Sequence, residues 1–457
     1  MKKGFLFIFL FLFIIIGCKN GNNNNITNTN SSTSNNVVYN NKNFSLNIYI
    51  ENSGSMDGYI SQPSEFKDVV RGFTSDIPTY FNSIIPGLYF VNSNGTCQTI
   101  PKNVTPDYEK FITDLSPKNF RSSCPPGKNS SIDDIIDYCS RNMKNKISVI
   151  FSDCILSYDG TKESGAKSAQ DHIKVFMSKK IREENLSTVV VKFNSKFKGS
   201  YYNESNGGVK IPISSSINRP YYALVFGESD LLKALLSKID FKKYKGYESS
   251  YTLISSNTKS NINSIITYEN ITGSFERANP PSLMKIINAV PKNGTSEFQF
   301  SINVNLNSLP FEEDFITNSS NYKINENFKI KTIEKNYNNN GYSHLMTFYT
   351  NELKQNSNLN IGLKYAIPSW IEFTGSDIDN KPLDPIQQKQ TFGFKYLMLG
   401  MTEAYFAANN NDSLQFKIPI SIIKNGSGSN GSSSFKWWIL IFFAIFISAT
   451  IYLKNKN

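Results

Sequence analysis

The chain has little of what most catalytic and metal centres are built from. Only two of its 457 residues are histidines, His172 and His344, and no Cys-x-x-Cys pair occurs among its five cysteines. Each histidine is therefore expected to be a surface or core residue, and a zinc site is not expected. No Gly-x-Ser-x-Gly turn occurs, and Gly127-Lys128 lacks the earlier glycine of a phosphate-binding loop. We therefore expect no enzymatic activity and no small-molecule substrate.

Dense basic runs are absent as well, although the formal net charge is +11. The lysines and arginines are scattered along the chain, without the clusters or fingerprints typical of nucleic-acid-binding proteins. Nucleic acid is therefore not expected as a partner. The positive excess would instead favour contact between a solvated surface and anionic lipid head groups.

The amino terminus predicts export. Lys2 and Lys3 precede a continuous apolar stretch at 5–16. Its last two residues begin the sequence Ile-Ile-Gly-Cys at 15–18. A short apolar segment of this kind is typical of a secretory signal peptide, here 1–17. The last four residues resemble a bacterial lipobox, which implies that Cys18 is lipidated. The alternative is an uncleaved signal anchor with an incidental cysteine. The Asn- and Ser-rich stretch at 18–43 is expected to be a flexible tether.

A second membrane signal lies at the carboxyl terminus. Residues 437–453 form an unbroken run of apolar and small residues that begins with two tryptophans and is followed by two lysines. Length, aromatic start and trailing lysines predict a transmembrane helix with a cytoplasmic end, so the middle of the chain should be extracytoplasmic. The alternative is a buried core helix. A Gly/Ser-rich linker at 425–436 should join this helix to the folded part.

The middle of the chain divides by pattern. Residues 44–247 alternate apolar strand-like stretches with helical ones, which predicts an α/β domain with a doubly wound, mostly parallel sheet. Residues 248–424 show mainly alternating strands separated by turn residues, which predicts a β-rich, sandwich-like domain. One helix is expected within that second part, at 392–408.

One segment carries candidate binding chemistry. A buried strand at 46–50 runs into Glu51-Asn52-Ser53-Gly54-Ser55-Met56, which places a carboxylate and two hydroxyls at alternate positions. This turn resembles the Asp-x-Ser-x-Ser metal-site motif of von Willebrand factor A domains, with Glu51 in place of the usual aspartate. Two later features are collinear with that family's site. A Gly-containing loop with Ser130 and Ser131 precedes a helix, and Asp153 follows a strand at 147–151.

The resemblance implies a site for Mg²⁺ or Mn²⁺, cations that prefer hard oxygen ligands. Ser53, Ser55 and either Ser130 or Ser131 would bind the metal directly, whereas Glu51 and Asp153 would act mainly through water. The open metal position would take a carboxylate from a partner protein. Glutamate is one methylene longer than aspartate, so the alternative is a vestigial site that binds no metal. The resemblance therefore implies an adhesion-type scaffold, and the alternative is a metal-independent envelope tether or assembly subunit.

Four cysteines remain if Cys18 carries lipid. An even number in an oxidising compartment predicts two disulfides, for which three pairings are possible. Proximity along the chain favours Cys97 with Cys124 and Cys139 with Cys154.

Overall fold

The structure is a computed structural model, and it describes only part of the chain. The described residues are 44–81, 84–93, 95–98, 111, 113, 115–123, 131–157, 162–255, 262–309, 311–336, 341–409 and 413–425. The predictions that lie outside them concern the signal peptide at 1–17, Cys18, the tether at 18–43, Cys124, Ser130, all of the 425–436 linker but its first residue, and the transmembrane segment at 437–453. Within the described ranges, no helix is both long and apolar enough to cross a membrane.

The first half of the described chain builds a seven-stranded sheet. Its strands are β1 (Ser45–Glu51), β2 (Gly87–Asn92), β3 (Gly95–Gln98), β4 (Lys146–Ser152), β5 (Leu186–Asn203), β6 (Val209–Glu228) and β7 (Tyr247–Leu253). They are ordered β3-β2-β1-β4-β6-β5-β7. Parallel pairing is limited to β1 with β2 and β1 with β4, and the other neighbours are antiparallel. The fold is thus α/β, but its sheet is mixed rather than mostly parallel.

A long hairpin explains this difference. The sequence shows two buried strands near 190 and 223, which a helical crossover would have made parallel. The chain instead continues each strand outward and reverses at Gly207 and Gly208, which adopt φ of +68° and +74°. Glycine accepts such left-handed backbone without steric cost. A hairpin needs no crossover helix, and its two strands are necessarily antiparallel.

Helices cover both faces of this sheet. In chain order the helices of the described residues are α1 (Asp57–Ile60), α2 (Glu65–Tyr80), α3 (Pro117–Ser123), α4 (Ile132–Cys139), α5 (Lys162–Glu184), α6 (Ser229–Leu236), α7 (Glu313–Thr317), α8 (Ser369–Thr374) and α9 (Phe394–Ala408). Residues of α1, α2 and α6 share one apolar core with the sheet, and residues of α4, α5 and α9 share the other. Burying both faces is what gives strands such as β4 an apolar run without alternation.

Helix α2 illustrates how local sequence sets an element. The hydroxyl of Ser64 accepts a hydrogen bond from the Lys67 backbone N–H and so caps the first turn. Buried apolar residues then recur with helical spacing on one face, at Phe66, Val69, Val70, Phe73 and Ile77. The cap and the apolar stripe thus both come from residues of this one segment.

The second half forms two further sheets that share one apolar core. The five-stranded sheet is ordered β12-β15-β16-β10-β9 and the four-stranded sheet β13-β14-β11-β8. Their strands are β8 (Ser264–Thr272), β9 (Ser274–Arg277), β10 (Lys285–Val290), β11 (Phe298–Val304), β12 (Tyr322–Ile324), β13 (Lys329–Lys335), β14 (His344–Thr350), β15 (Asn356–Leu363) and β16 (Ile418–Lys424). Two sheets about a common core are the arrangement of a sandwich.

The two halves interlock across the predicted boundary at 247. Strand β7 extends the first sheet to Leu253, and α9 from the second half packs on that sheet. Phe394 stacks on Tyr222 with ring centroids 4.1 Å apart. The helices α5 and α9 approach closely at Gly400, where an added Cβ would lie 2.6 Å from the carbonyl oxygen of Gln170. All described residues belong to one compact unit.

The predicted disulfide between Cys139 and Cys154 does not form. Both cysteines are buried and free. Cys139 ends α4 close to Lys146, where β4 begins, whereas Cys154 lies just past the other end of β4. A disulfide requires Cα atoms within about 7 Å, and a seven-residue strand spans about 20 Å. Cys97 lies in β3, and its expected partner Cys124 lies outside the described residues.

Candidate functional site

The carboxyl ends of β1 and β4 bring the predicted site residue Glu51 next to Ser152. The strands are parallel neighbours with Ile50 opposite Phe151, so Glu51 and Ser152 end side by side. The Ser152 hydroxyl donates a short hydrogen bond to the Glu51 carboxylate and accepts one from the Cys154 backbone N–H at 2.7 Å. Glu51 is buried, with only 3% of its surface exposed. This carboxylate is therefore held in place by the neighbouring strand.

The two predicted serine ligands lie in the turn between β1 and α1. The hydroxyl oxygens of Ser53 and Ser55 are 2.9 Å apart, and both side chains are only half-buried. Gly54 between them packs against β5, because an added Cβ would lie 2.8 Å from the ring of Tyr202. The glycine thus allows the turn to pack against the hairpin while both serines stay half-buried.

Asp153 lies deeper, directly after β4, with 2% of its surface exposed. Its Oδ1 accepts a hydrogen bond from the Ile155 backbone N–H at 3.1 Å, whereas Oδ2 has no hydrogen-bond partner among the described residues. Burial raises the pKa of this carboxyl, and the Ser55 hydroxyl, the Ile155 N–H and the Arg219 guanidinium oppose that rise. A buried acceptor without a protein partner is costly, and this oxygen is available to a water molecule or a cation.

Ser131 is not part of this group in the described structure. It precedes α4, and its hydroxyl makes a short hydrogen bond to the Asp133 carboxylate. The other Asp133 oxygen lies 2.8 Å from Nδ1 of His172, and Asp134 brings a third ligating atom, all within 4.8 Å of one another. The hydrogen bonds between them and the positive helix end at α4 account for this cluster without a metal.

The second histidine is a satisfied core residue. His344 is fully buried in β14, with Nδ1 2.7 Å from the Ser343 hydroxyl and Nε2 3.0 Å from the Glu313 carboxylate. Both ring nitrogens are thus occupied by neighbours within the sandwich.

Three charged residues that sequence reasoning missed belong to the electrostatic surroundings of Asp153 and of the adjacent hairpin tip. Arg219 on β6, Glu204 at the end of the hairpin and Asp379 from the second half interact electrostatically with each other or with Asp153. Asp379 accepts hydrogen bonds at 2.9 Å from the Tyr201 hydroxyl and from the backbone N–H groups of Glu204 and Ser205. No sequence pattern signals these residues, because they are far apart in the chain and only the long hairpin brings them together.

Glu204 gives the site a measurable pH dependence. Burial raises its pKa to about 7, with Asp379 and Asp153 adding to the rise and the Ser157 hydroxyl at 3.0 Å opposing it. The folded state therefore holds this proton more tightly than the unfolded chain, whose pKa is near the ordinary 4.5. Stability contributed by the protonated group is present below pH 4.5 and is lost as the pH rises to about 7.

The variant Glu204→Gln should not show this loss of stability with rising pH. We expect it to match the native chain at pH 4.5 and to be more stable at pH 8, as measured by denaturant unfolding midpoints. The exposed Glu334 on β13 offers a control, and Glu334→Gln should leave the native pH profile unchanged. An identical decline from pH 4.5 to 8 in native chain and Glu204→Gln would assign the effect to another group.

The thiol beside the site is not set up as a nucleophile. Burial raises the pKa of Cys154 well above its usual range, and the nearby carboxylates of Glu51 and Asp153 add to the rise. Thiolate is the reactive form of cysteine, so this environment disfavours reaction.

The oxygen atoms in this region fit a hard divalent cation. Two half-buried hydroxyls and the Oδ2 of Asp153 are the donor type that Mg²⁺ and Mn²⁺ prefer. Comparisons with protein-family models, curated proteins and solved structures found no match to this chain.

Proposed function

We propose that this chain is a membrane-tethered, extracytoplasmic scaffold that binds a partner protein at the carboxyl edge of its α/β sheet. Ser53, Ser55 and Asp153 would hold Mg²⁺ or Mn²⁺ there, with Glu51 supporting the site through Ser152. The observation that carries this proposal is that the half-buried hydroxyls of Ser53 and Ser55 lie 2.9 Å apart and that Ser55 interacts with the buried Asp153 carboxyl, whose Oδ2 has no hydrogen-bond partner among the described residues. The bound cation would supply a position for a carboxylate of the partner.

The tethering rests on the two ends of the chain. The predicted signal peptide with Cys18 would attach a lipid, and residues 437–453 would span the bilayer. Membrane lipid is thus the second expected partner, and the folded part between these ends would face away from the cytoplasm.

Exposed apolar side chains in a segment attached to the hairpin favour a protein partner. We call them the apolar rim, and they are Phe373, Ile378, Leu383 and Ile386, which are 54–77% exposed. Its segment is attached to the hairpin at two points. Asp379 bonds to residues 201–205, and the Gln390 carbonyl accepts a hydrogen bond from Arg219. Because exposed apolar patches mark protein contacts, we propose a partner that presents an acidic side chain among apolar residues.

The alternative is a metal-independent structural tether in the envelope. Arg219 favours it, because this buried guanidinium interacts electrostatically with Asp153 and already provides a positive charge near the position proposed for the metal. In that case both halves would pack against other envelope components, and chelators would have no effect on association.

Capture from detergent-solubilised envelopes tests the choice. The native full-length chain should retain a protein that is released by EDTA. Ser53→Ala/Ser55→Ala and Leu383→Ser/Ile386→Ser should each reduce its retention about tenfold or more, because each removes a central part of the contact. Binding of that protein, once purified, to the native chain should show the same dependence.

The matched control is Leu283→Ser, which changes an equally exposed leucine on the sandwich half and should leave capture intact. Retention that is insensitive to EDTA and to the serine variants would favour the structural tether. Retention that survives the rim variants would place the contact elsewhere on the chain.

A further inference from the structure

Arg219 is a buried cation with an unusual set of neighbours. Only 2% of its surface is exposed. Its guanidinium lies over the ring of Tyr201, 4.4 Å from the centroid, and 6.0 Å from that of Phe197. One hydrogen bond is made by Nη2, which donates to the Gln390 carbonyl at 3.1 Å. Buried arginines are rare unless a negative group offsets their charge.

The sheet register identifies that negative group. In the antiparallel pair of β4 and β6, Phe151 lies opposite Ala223 and Ser152 opposite Tyr222. Side chains two residues apart along a strand point to the same face of the sheet. Asp153 is therefore on the same face as Phe151, and Arg219 is on the same face as Tyr221. Phe151 and Tyr221 belong to the same apolar core, which places Asp153 and Arg219 on the same side of the sheet.

The attraction between the two charges acts through space. Asp153 Oδ2 and Arg219 Nε are both buried and have no hydrogen-bond partner among the described residues. The guanidinium nevertheless favours the charged form of Asp153, and the carboxylate favours that of Arg219. Oδ2 is thus electrostatically balanced yet still available as a ligand.

We infer that Arg219 is the resident cation of this site: its guanidinium balances Asp153 when no metal is bound and keeps the affinity for divalent cations low. This inference rests on the proposed function insofar as Ser53, Ser55 and Asp153 hold the metal. A second positive charge near Asp153 is repelled by the first, particularly where little water screens them. Without Arg219, the buried carboxylate would lack a counter-charge, and a metal would become the means of supplying one.

The experiment combines Arg219→Gln and Asp153→Asn, singly and together, in the full-length chain. Arg219→Gln alone should lower the melting temperature by several degrees, and Mn²⁺ should restore much of that loss. The double variant pairs two neutral groups and should melt higher than Arg219→Gln without responding to Mn²⁺. Calorimetry should show at least a tenfold gain in Mn²⁺ affinity for Arg219→Gln over the native chain.

Arg219→Lys separates charge from packing. Lysine keeps the positive charge but loses the planar stack on Tyr201, so this variant should retain the low Mn²⁺ affinity of the native chain. If Arg219→Gln does not fold, a folded double variant supports the inference, because removal of the negative charge then restores the fold. An unfolded double variant contradicts it.

Two other results would overturn the inference. One is an equal loss of melting temperature when Arg219→Gln is added to the native chain and to the Asp153→Asn variant, which would mean that Arg219 contributes packing alone. The other is an unchanged Mn²⁺ affinity in Arg219→Gln. Neither measurement involves a partner protein, so failure of the scaffold proposal in the capture experiment remains a separate result.

Discussion

Phe394→Ala is expected to lower the free energy of unfolding by about 3–5 kcal/mol, the usual cost of removing a buried phenylalanine side chain. Phe394 is fully buried at the start of α9 and stacks on Tyr222 of β6. The residue belongs to the second half of the chain, yet it completes the core on one face of the α/β sheet. Its loss should therefore destabilise the first half directly, and chemical denaturation followed by circular dichroism would measure the change.

Phe373→Ala is the matched control. Phe373 lies about twenty residues earlier, at the end of α8, with 77% of its surface exposed. Its replacement should change the free energy of unfolding by less than about 0.5 kcal/mol, as is usual for exposed positions. Equal effects of the two variants would mean that α9 does not pack on the sheet as described, and the interlocking of the two halves would be wrong.

Ser53→Ala/Ser55→Ala is expected to weaken Mn²⁺ binding at least about 100-fold, because it removes two of the three proposed protein ligands. The hydroxyls are half-buried, and their mutual hydrogen bond is replaceable by water. The fold should therefore survive, so calorimetric titration of the full-length chain, with a melting curve for each variant, isolates the effect on the cation. The Arg219→Gln background offers the same comparison at higher affinity.

Ser75→Ala/Thr79→Ala provides the control for hydroxyl loss. These two hydroxyls on α2 donate only to backbone carbonyls of their own helix, so Mn²⁺ affinity should stay at the native value. Unchanged binding in the Ser53/Ser55 variant would direct attention to Asp133, Asp134 and His172, whose ligating atoms lie within 4.8 Å of one another. If neither the native chain nor Arg219→Gln binds Mn²⁺, the metal-independent tether becomes the favoured function.

The candidate site was partly predictable because its first residues are local. A strand followed by Glu51, Ser53 and Ser55 defines a turn through neighbouring residues alone, and Asp153 follows a strand whose apolar run is unmistakable. Carboxyl ends of parallel strands meet at one edge, so the pairing of β1 with β4 brought Glu51 and the Ser152-Asp153 segment together as expected. Ser131 failed that expectation because its hydroxyl has a nearer partner in Asp133.

The sequence by itself determined the elements: apolar periodicity and caps placed the strands and helices of the α/β half and the strands of the sandwich. Only the tertiary structure decided the mixed sheet, the packing of α9 on the first half, the free state of Cys139 and Cys154, and the position of Arg219 beside Asp153. Local patterns record which face of an element is buried, whereas these four features depend on which distant segment covers that face. That choice depends on packing and charge balance between residues far apart in the chain, for which a single sequence carries no local signal.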